Sequence, residues 1–166
     1  MPNKVYYNPE TGITWKSSGG THVFTGTSVA NGAGRLGDRG DLGAQPNAAL
    51  YRWFAETKIG AGLTVGSLVR VYLAWWNDEA TPGDSDGAVG ASDAAFATEN
   101  NLRNLKHIGN IVVRSTTTTD IHTGSGLVMI PVRYVSPVWW NASGGALSAT
   151  ATDHEFHLTA VPPEIQ

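Results

Sequence analysis

Residues 68–76 have the sequence LVRVYLAWW, in which apolar and other side chains alternate along most of the segment. Adjacent residues of a β-strand point to opposite faces of the sheet, so this alternation predicts a strand with one buried face. The row predicted to be buried consists of Val69, Val71, Leu73 and Trp75. Trp76 falls in the other row with Arg70 and Tyr72, so its ring is predicted to point away from the core.

Residues 132–140, with the sequence VRYVSPVWW, end in a second tryptophan pair. The row predicted to be buried consists of Val132, Tyr134, Val138 and Trp140. Trp139 then shares the opposite face with Arg133 and Val135. A second sheet of the same domain could cover Trp76 and Trp139. Otherwise a binding partner should cover them, because aromatic residues and arginine are enriched in protein interfaces.

The composition favours a single all-β domain. The chain has 166 residues, of which 20 are glycine and 8 are proline, so many short elements joined by turns are expected. There is no cysteine, which excludes disulfides and thiolate catalysis. The net charge is −3 with 11 basic residues, a balance that argues against a nucleic acid partner. No apolar run reaches the roughly 20 residues of a membrane span, and no signal peptide is recognised.

Turn residues divide the chain into an extended N-terminal arm, residues 1–20, and one antiparallel β-sandwich domain, residues 21–166. The arm carries Tyr6, Tyr7 and Trp15 among prolines and glycines, so it is expected to pack against another surface. The predicted strands of the sandwich are residues 21–29, 48–57, 68–76, 107–114, 121–130, 132–141 and 150–161.

Two segments of the domain are predicted to form structures other than strands. Residues 32–47 contain five glycines and a proline, which predicts a loop. Within residues 92–105, Ser92 is a suitable N-cap, so the one short helix of the domain is predicted there.

The titratable residues form no recognisable catalytic pattern. Asp84 and Asp86 lie in an acidic stretch that matches a calcium-binding loop only at its start, so a solvated turn is expected. His154 and His157 would lie on opposite faces of a strand and could not share one metal ion, whereas Glu155 and His157 would share a face as a polar pair. We therefore predict no catalytic residue, no metal ligand and no cofactor.

Two short motifs have ordinary structural explanations. Residues 39–41 are the adhesion tripeptide RGD, but they lie in the predicted loop, where turn chemistry accounts for them. Residues 141–143 are NAS, a match to the N-glycosylation acceptor that matters only in a eukaryotic secretory route.

The C-terminal part of the chain resembles the head decoration, or cement, proteins of tailed bacteriophages. The resemblance spans residues 68–166 and is carried by turn and strand signatures. These are NLKHIG at 104–109, RYVSPV at 133–138, NASGGALSAT at 141–150, DHEFHLT at 153–159 and VPPEIQ at 161–166.

This resemblance implies a jelly-roll or related β-sandwich that sits on the outer surface of the virion capsid and is made in the bacterial host cytoplasm. Its partners would be the major capsid protein and further copies of itself, with a homotrimer expected and a dimer as the alternative. We expect arm residues Tyr6, Tyr7 and Trp15 to dock on the shell. Trp76, Trp139 and Arg133 are expected to form contacts between subunits or with the shell.

Two other functions are compatible with the residues. A carbohydrate-binding β-sandwich would use the outward rings of Trp76 and Trp139 to stack on sugars, with Asp84 or Asp86 accepting hydroxyl hydrogen bonds. A hydrolase is the third hypothesis, although no acid and base residues have a supporting spacing. A structure distinguishes the first two, because sugar binding needs aromatic rings in a groove beside polar groups.

Overall fold

The computed structural model describes residues 12–43, 50–76 and 92–161. These residues form eleven β-strands and two short 3-10 helices, at Glu99–Leu102 and Ala151–Asp153. The strands are β1 Ile13–Lys16, β2 His22–Val23, β3 Ala33–Leu36, β4 Gly40–Asp41, β5 Leu50–Lys58, β6 Leu68–Trp76, β7 Ala94–Phe96, β8 Lys106–Val112, β9 Ile121–Met129, β10 Tyr134–Ala142 and β11 His154–Ala160.

The strands form two packed sheets. The front sheet has the order β2-β1-β11-β5-β9, and the back sheet has the order β7-β3-β10-β6-β8, with β4 also paired to β10. Four antiparallel pairs are nested along the chain: β1 with β11, β3 with β10, β5 with β9, and β6 with β8. Because these nested pairs alternate between the front and the back sheet down to the innermost pair, β6 with β8, this winding is that of a jelly roll. It confirms the predicted all-β antiparallel sandwich.

The main core lies between the two sheets. Strand β5 shows why it forms: Tyr51, Trp53 and Ala55 alternate inward, while Arg52 and Glu56 point outward. The largest buried side chains between the sheets are Trp15, Phe24, Trp53, Trp139 and Phe156. Each fully covered tryptophan stabilises the fold by up to about 5 kcal/mol before ordering costs.

The outer face of the back sheet is also covered, by a second apolar cluster. Leu102 and Leu105, from the segment that follows β7, are buried there. The sheet residues of this cluster are Leu36, Ala74, Trp76, Tyr134, Val138 and Trp140. Strand β10 is therefore buried on both of its faces, as a central strand is expected to be in a layered domain.

Three sequence predictions of local structure differ from the structure. The predicted loop 32–47 contains β3 and β4, and the segment 92–105 predicted to form a helix begins with β7 and is helical only in the 3-10 helix Glu99–Leu102. The predicted strand 21–29 forms strand structure only at His22–Val23. The glycines misled the first prediction, because they make room for aromatic rings: a Cβ on Gly40 would lie 2.5 Å from Cζ2 of Trp15.

The N-terminal boundary differs from the predicted one as well. Ile13–Lys16 is not part of an arm that docks elsewhere, because it pairs with β11 over four residues. Residues 1–11, which include Tyr6 and Tyr7, lie outside the described part of the chain.

Candidate interaction surface

The three tryptophans predicted to contact partners are covered by the domain itself. Trp15 and Trp139 are 0% exposed and Trp76 is 1% exposed. The ring of Trp139 lies 4.6 Å from that of Phe24, and the Trp15 indole N–H donates a 2.8 Å hydrogen bond to the Asp38 carbonyl oxygen. The expectation that these rings form a contact surface is therefore corrected.

The two rings of each tryptophan pair were separated correctly, but the row of β10 was assigned to the wrong side, and Val132, which was grouped with Tyr134, lies in the main core with Trp139. Trp75 lies on the side of the main core with Val71, and Trp76 lies on the opposite face, as predicted. In β10 the assignment is reversed, because Trp139 enters the main core and Trp140 the outer cluster. Alternation separates two faces but does not say which one meets the other sheet, and here both faces are covered.

Arg133 lies at the surface in a small cluster of charged and aromatic side chains. Its Nε and Nη2 atoms donate hydrogen bonds of 2.8 and 2.7 Å to the carboxylate of Asp41. The guanidinium groups of Arg133 and Arg39 each lie 4.8 Å from the Tyr134 ring centroid. The hydrogen bond from Arg133 is the main reason why the pKa of Asp41 is lowered. Within the RGD motif, Asp41 is thus held by an internal ion pair.

The histidines of β11 have separate environments, as the strand alternation predicts. His154 is 0% exposed, with Nδ1 2.8 Å from the Thr57 hydroxyl and Nε2 2.9 Å from the Ser148 carbonyl oxygen. On the other face, Glu155 lies 2.9 Å from His157. The described residues contain no group of three or more histidine, aspartate or glutamate side chains that could hold a metal ion. The Asp84 and Asp86 stretch lies outside the described residues.

An apolar cavity of about 480 Å³ opens near the ends of β6, β8 and β9. Trp75 is half-buried there, against the edge of the main core. The lining residues are Trp75, Lys106, His107, Ile108, Leu127, Val128, Met129, Ile130 and Pro131.

The outward row of β9 is the most exposed apolar surface in the described residues. We call Ile121, Thr123, Ser125, Leu127 and Met129 the β9 row. Ile121, Leu127 and Met129 are 56%, 63% and 69% exposed. The row continues into the cavity through Leu127 and Met129. Together they form a strip without charged side chains, in which Thr123 and Ser125 lie between the aliphatic ends. The strip is bordered by the outward residues Arg52, Glu56 and Lys58 of β5 and, at the cavity, by Lys106 and His107, a composition suited to contact with another protein.

The sequence analysis missed this strip. The inward row of β9 contains Gly124 and Gly126 as well as His122 and Val128, so it is no more apolar than the outward row. Steric room determines which row of β9 faces inward, because a Cβ on Gly124 would lie 2.7 Å from the Asn110 carbonyl oxygen of β8. Only glycine allows the two sheets to approach so closely at this point.

The fold and this strip define a jelly-roll β-sandwich with an apolar edge. No protein-family model and no curated protein matches the chain. Among solved structures, it is similar to a family 35 carbohydrate-binding module from an environmental isolate, at 14% identity and a TM-score of 0.39. That similarity covers 96% of this chain and 95% of the module, and it is too low to bear on function. None of the helices in the described segments has the length and apolar character needed to cross a membrane.

Proposed function

We propose that the protein is a non-enzymatic capsid decoration protein that binds the outer surface of a phage head, where major capsid subunits meet, and stabilises the shell. The observation that carries this proposal is the exposed aliphatic strip of the β9 row and its cavity. The resemblance of residues 68–166 to head decoration proteins supports it, and so does the jelly-roll winding, which is frequent among viral capsid proteins.

Several charged side chains of the described segments form ion pairs that join neighbouring strands within a sheet. Lys16 lies 2.6 Å from Glu155, Lys58 lies 2.8 Å from Asp153, and Arg35 pairs with Asp93. These pairs join β1 to β11, β5 to the turn before β11, and β3 to the residue before β7. These ion pairs stabilise the fold rather than transfer protons, which supports the proposed non-enzymatic role.

The strip favours a protein partner over a sugar. Stacking on a sugar requires an exposed ring face, and Trp76 and Trp139, the rings assigned to that task, are buried. Aliphatic side chains gain affinity simply by leaving water, at roughly 25 cal/mol per Å². Many weak contacts of this kind suffice on a shell, because an oligomer that is bound through one subunit presents the others at high effective concentration.

Co-sedimentation with phage heads stripped of this protein tests the proposal. We expect saturable binding at a fixed copy number per shell. The double variant L127D/M129D should lose that binding, because it places two charges on the strip. The control variant N100D adds a charge to an exposed residue of the 3-10 helix Glu99–Leu102, which lies over the outer face of the back sheet, and should bind like the wild type.

Two results would contradict the proposal. Absence of binding to expanded heads, with retention on a polysaccharide column, would favour the carbohydrate-binding alternative. Equal shell binding by wild type and L127D/M129D would show that the strip is not the contact surface. Deleting residues 1–11 in parallel tests the expected contribution of Tyr6 and Tyr7.

A further inference from the structure

The four edge strands of the two sheets differ in how they are protected against pairing with other chains. Strands β2 and β7 are only two and three residues long. Strand β8 begins with Lys106, and its pairing with β6 has a register shift between Val71 and Tyr72. Short length, lysine and bulges are the devices by which natural sheets avoid edge-to-edge association.

Strand β9 has none of these protections. It is nine residues long, pairs with β5 without a register shift, and contains no charged residue and no proline. In an antiparallel sheet alternate residues direct their N–H and C=O groups to each side, so the free side of β9 presents a row of backbone donors and acceptors. No other strand of the described segments pairs with that side.

We infer that β9 pairs with β9 of a second copy of this chain, antiparallel, about a twofold axis at Ser125. Ser125 is the midpoint of Ile121–Met129, so only this register pairs the strand over its full length. The two five-stranded front sheets would then become one continuous sheet. The contact is isologous, with the same surface used by both copies.

The side chains of β9 are compatible with pairing to the same strand of a second copy. In this register Ile121 lies opposite Met129 of the second copy, and Thr123 lies opposite Leu127. Cross-strand pairs of this kind, one between two aliphatic side chains and one between Thr and Leu, stabilise the pairing of two antiparallel strands. Pairing therefore places the β9 rows of the two copies side by side on one face of the joined sheet, so the apolar strip becomes continuous across the dimer and still faces outward.

The centre of the strand also fits a twofold axis. Residues near such an axis lie opposite their own copies, so a charge there would repel itself. Ser125 is small, and its neighbours Gly124 and Gly126 have no side chain. These features favour a second copy as the occupant over an unrelated strand, and they select the dimer over the trimer.

A cysteine scan tests this pairing without phage heads, so its outcome is separate from that of the proposed function. The chain has no cysteine, so each single variant carries one thiol. Residues directly opposite in a sheet have Cα atoms about 4.5–5.5 Å apart, within the range a disulfide can span. Mild oxidation should therefore cross-link S125C into dimers.

T123C and L127C are the matched controls. In the Ser125-centred register each lies four residues from its own copy along the strands, about 13 Å, which a disulfide cannot span. Cross-linking of either control in place of S125C would overturn the register. Failure of all three to cross-link, with light scattering that gives the mass of one chain, would overturn the dimer.

Charge reversal gives a second readout that does not depend on oxidation. S125K and S125D should each scatter light as single chains, and their equimolar mixture should recover twice that mass. T159K, on the interior strand β11, should remain dimeric like the wild type. Dimers of S125K as stable as those of the wild type would contradict a twofold axis at Ser125.

Discussion

Asn141 shows how one buried polar side chain can organise several turns. It is 0% exposed, and its Nδ2 donates hydrogen bonds of 2.8 Å to the carbonyl oxygens of Val29 and Gly145. Its Oδ1 accepts hydrogen bonds from the backbone N–H and the hydroxyl of Ser143. The glycosylation motif is therefore an internal hydrogen-bond network at the end of β10.

Replacing Asn141 by alanine should be strongly destabilising. The change leaves buried carbonyl and hydroxyl groups without their partner, at a cost of about 1–3 kcal/mol for each unsatisfied group. We expect N141A to lower the free energy of unfolding by about 3 kcal/mol or more, measured by urea denaturation. N110A, at the half-exposed Asn110 of β8, should change it little. Equal stability of the two variants would contradict the network.

His154 should make stability depend on pH. Its Nε2 must carry the proton, because the Ser148 carbonyl can only accept, so Nδ1 of the neutral ring accepts from the Thr57 hydroxyl. Burial lowers the pKa of His154, and the hydrogen bond to Ser148 and the charge of Asp153 oppose this only partly. Burial also lowers the pKa of His122.

The direction in which the free energy of unfolding changes with pH follows from proton uptake by the unfolded chain. Unfolded histidine binds a proton at a pH of about 6.5, whereas folded His154 and His122 do so only at lower pH. The free energy of unfolding should therefore fall as pH drops below 6.5, and urea midpoints between pH 8 and pH 5 should show it. H154Q should reduce this pH dependence; an unchanged slope would contradict the assignment.

At the scale of elements, glycines in β3 and β4 act as sites for aromatic rings. A Cβ on Gly34 would lie 2.1 Å from Cζ of Phe96, whose ring stacks on Trp140 with centroids 5.9 Å apart. A Cβ on Gly40 would collide with Trp15 in the main core. The two sites differ in whether the neighbouring aromatic ring can move away from an added Cβ atom.

G40A should therefore cost more stability than G34A. The Trp15 ring is fully buried and fixed by its hydrogen bond to Asp38, so it cannot move aside. Overpacking of this kind typically costs about 1–3 kcal/mol. The Phe96 ring is only half-buried on the edge strand β7 and can turn away. Thermal denaturation of both variants checks the order, and a larger effect of G34A would contradict it.

At the scale of the whole molecule, the boundary of the folded unit lies before Trp15. Deleting residues 1–11 preserves the described contacts, whereas deleting residues 1–20 removes β1 and the Trp15 ring from the core. The loss of a ring worth up to about 5 kcal/mol is comparable to the total stability of many domains, about 5–15 kcal/mol. We expect the longer deletion to abolish cooperative unfolding by circular dichroism and the shorter one to retain it. Retention by both would place the boundary after residue 20.

The sequence by itself determined which residues alternate and how they group into rows. Alternation is set by the backbone of a single strand, so the rows of β5, β6 and β11 could be predicted from their own residues. High glycine and proline content and the absence of cysteine pointed to a β domain without disulfides for the same local reasons.

Only the tertiary structure decided which row meets which neighbour. Trp139 is in the main core because the front sheet packs on its side of β10, and Trp76 is buried because Leu102 and Leu105 cross the other side. The β9 row is exposed because Gly124 lets β8 pack closely on the opposite face. These outcomes depend on contacts between residues distant in the chain, which the alternation of one strand does not encode.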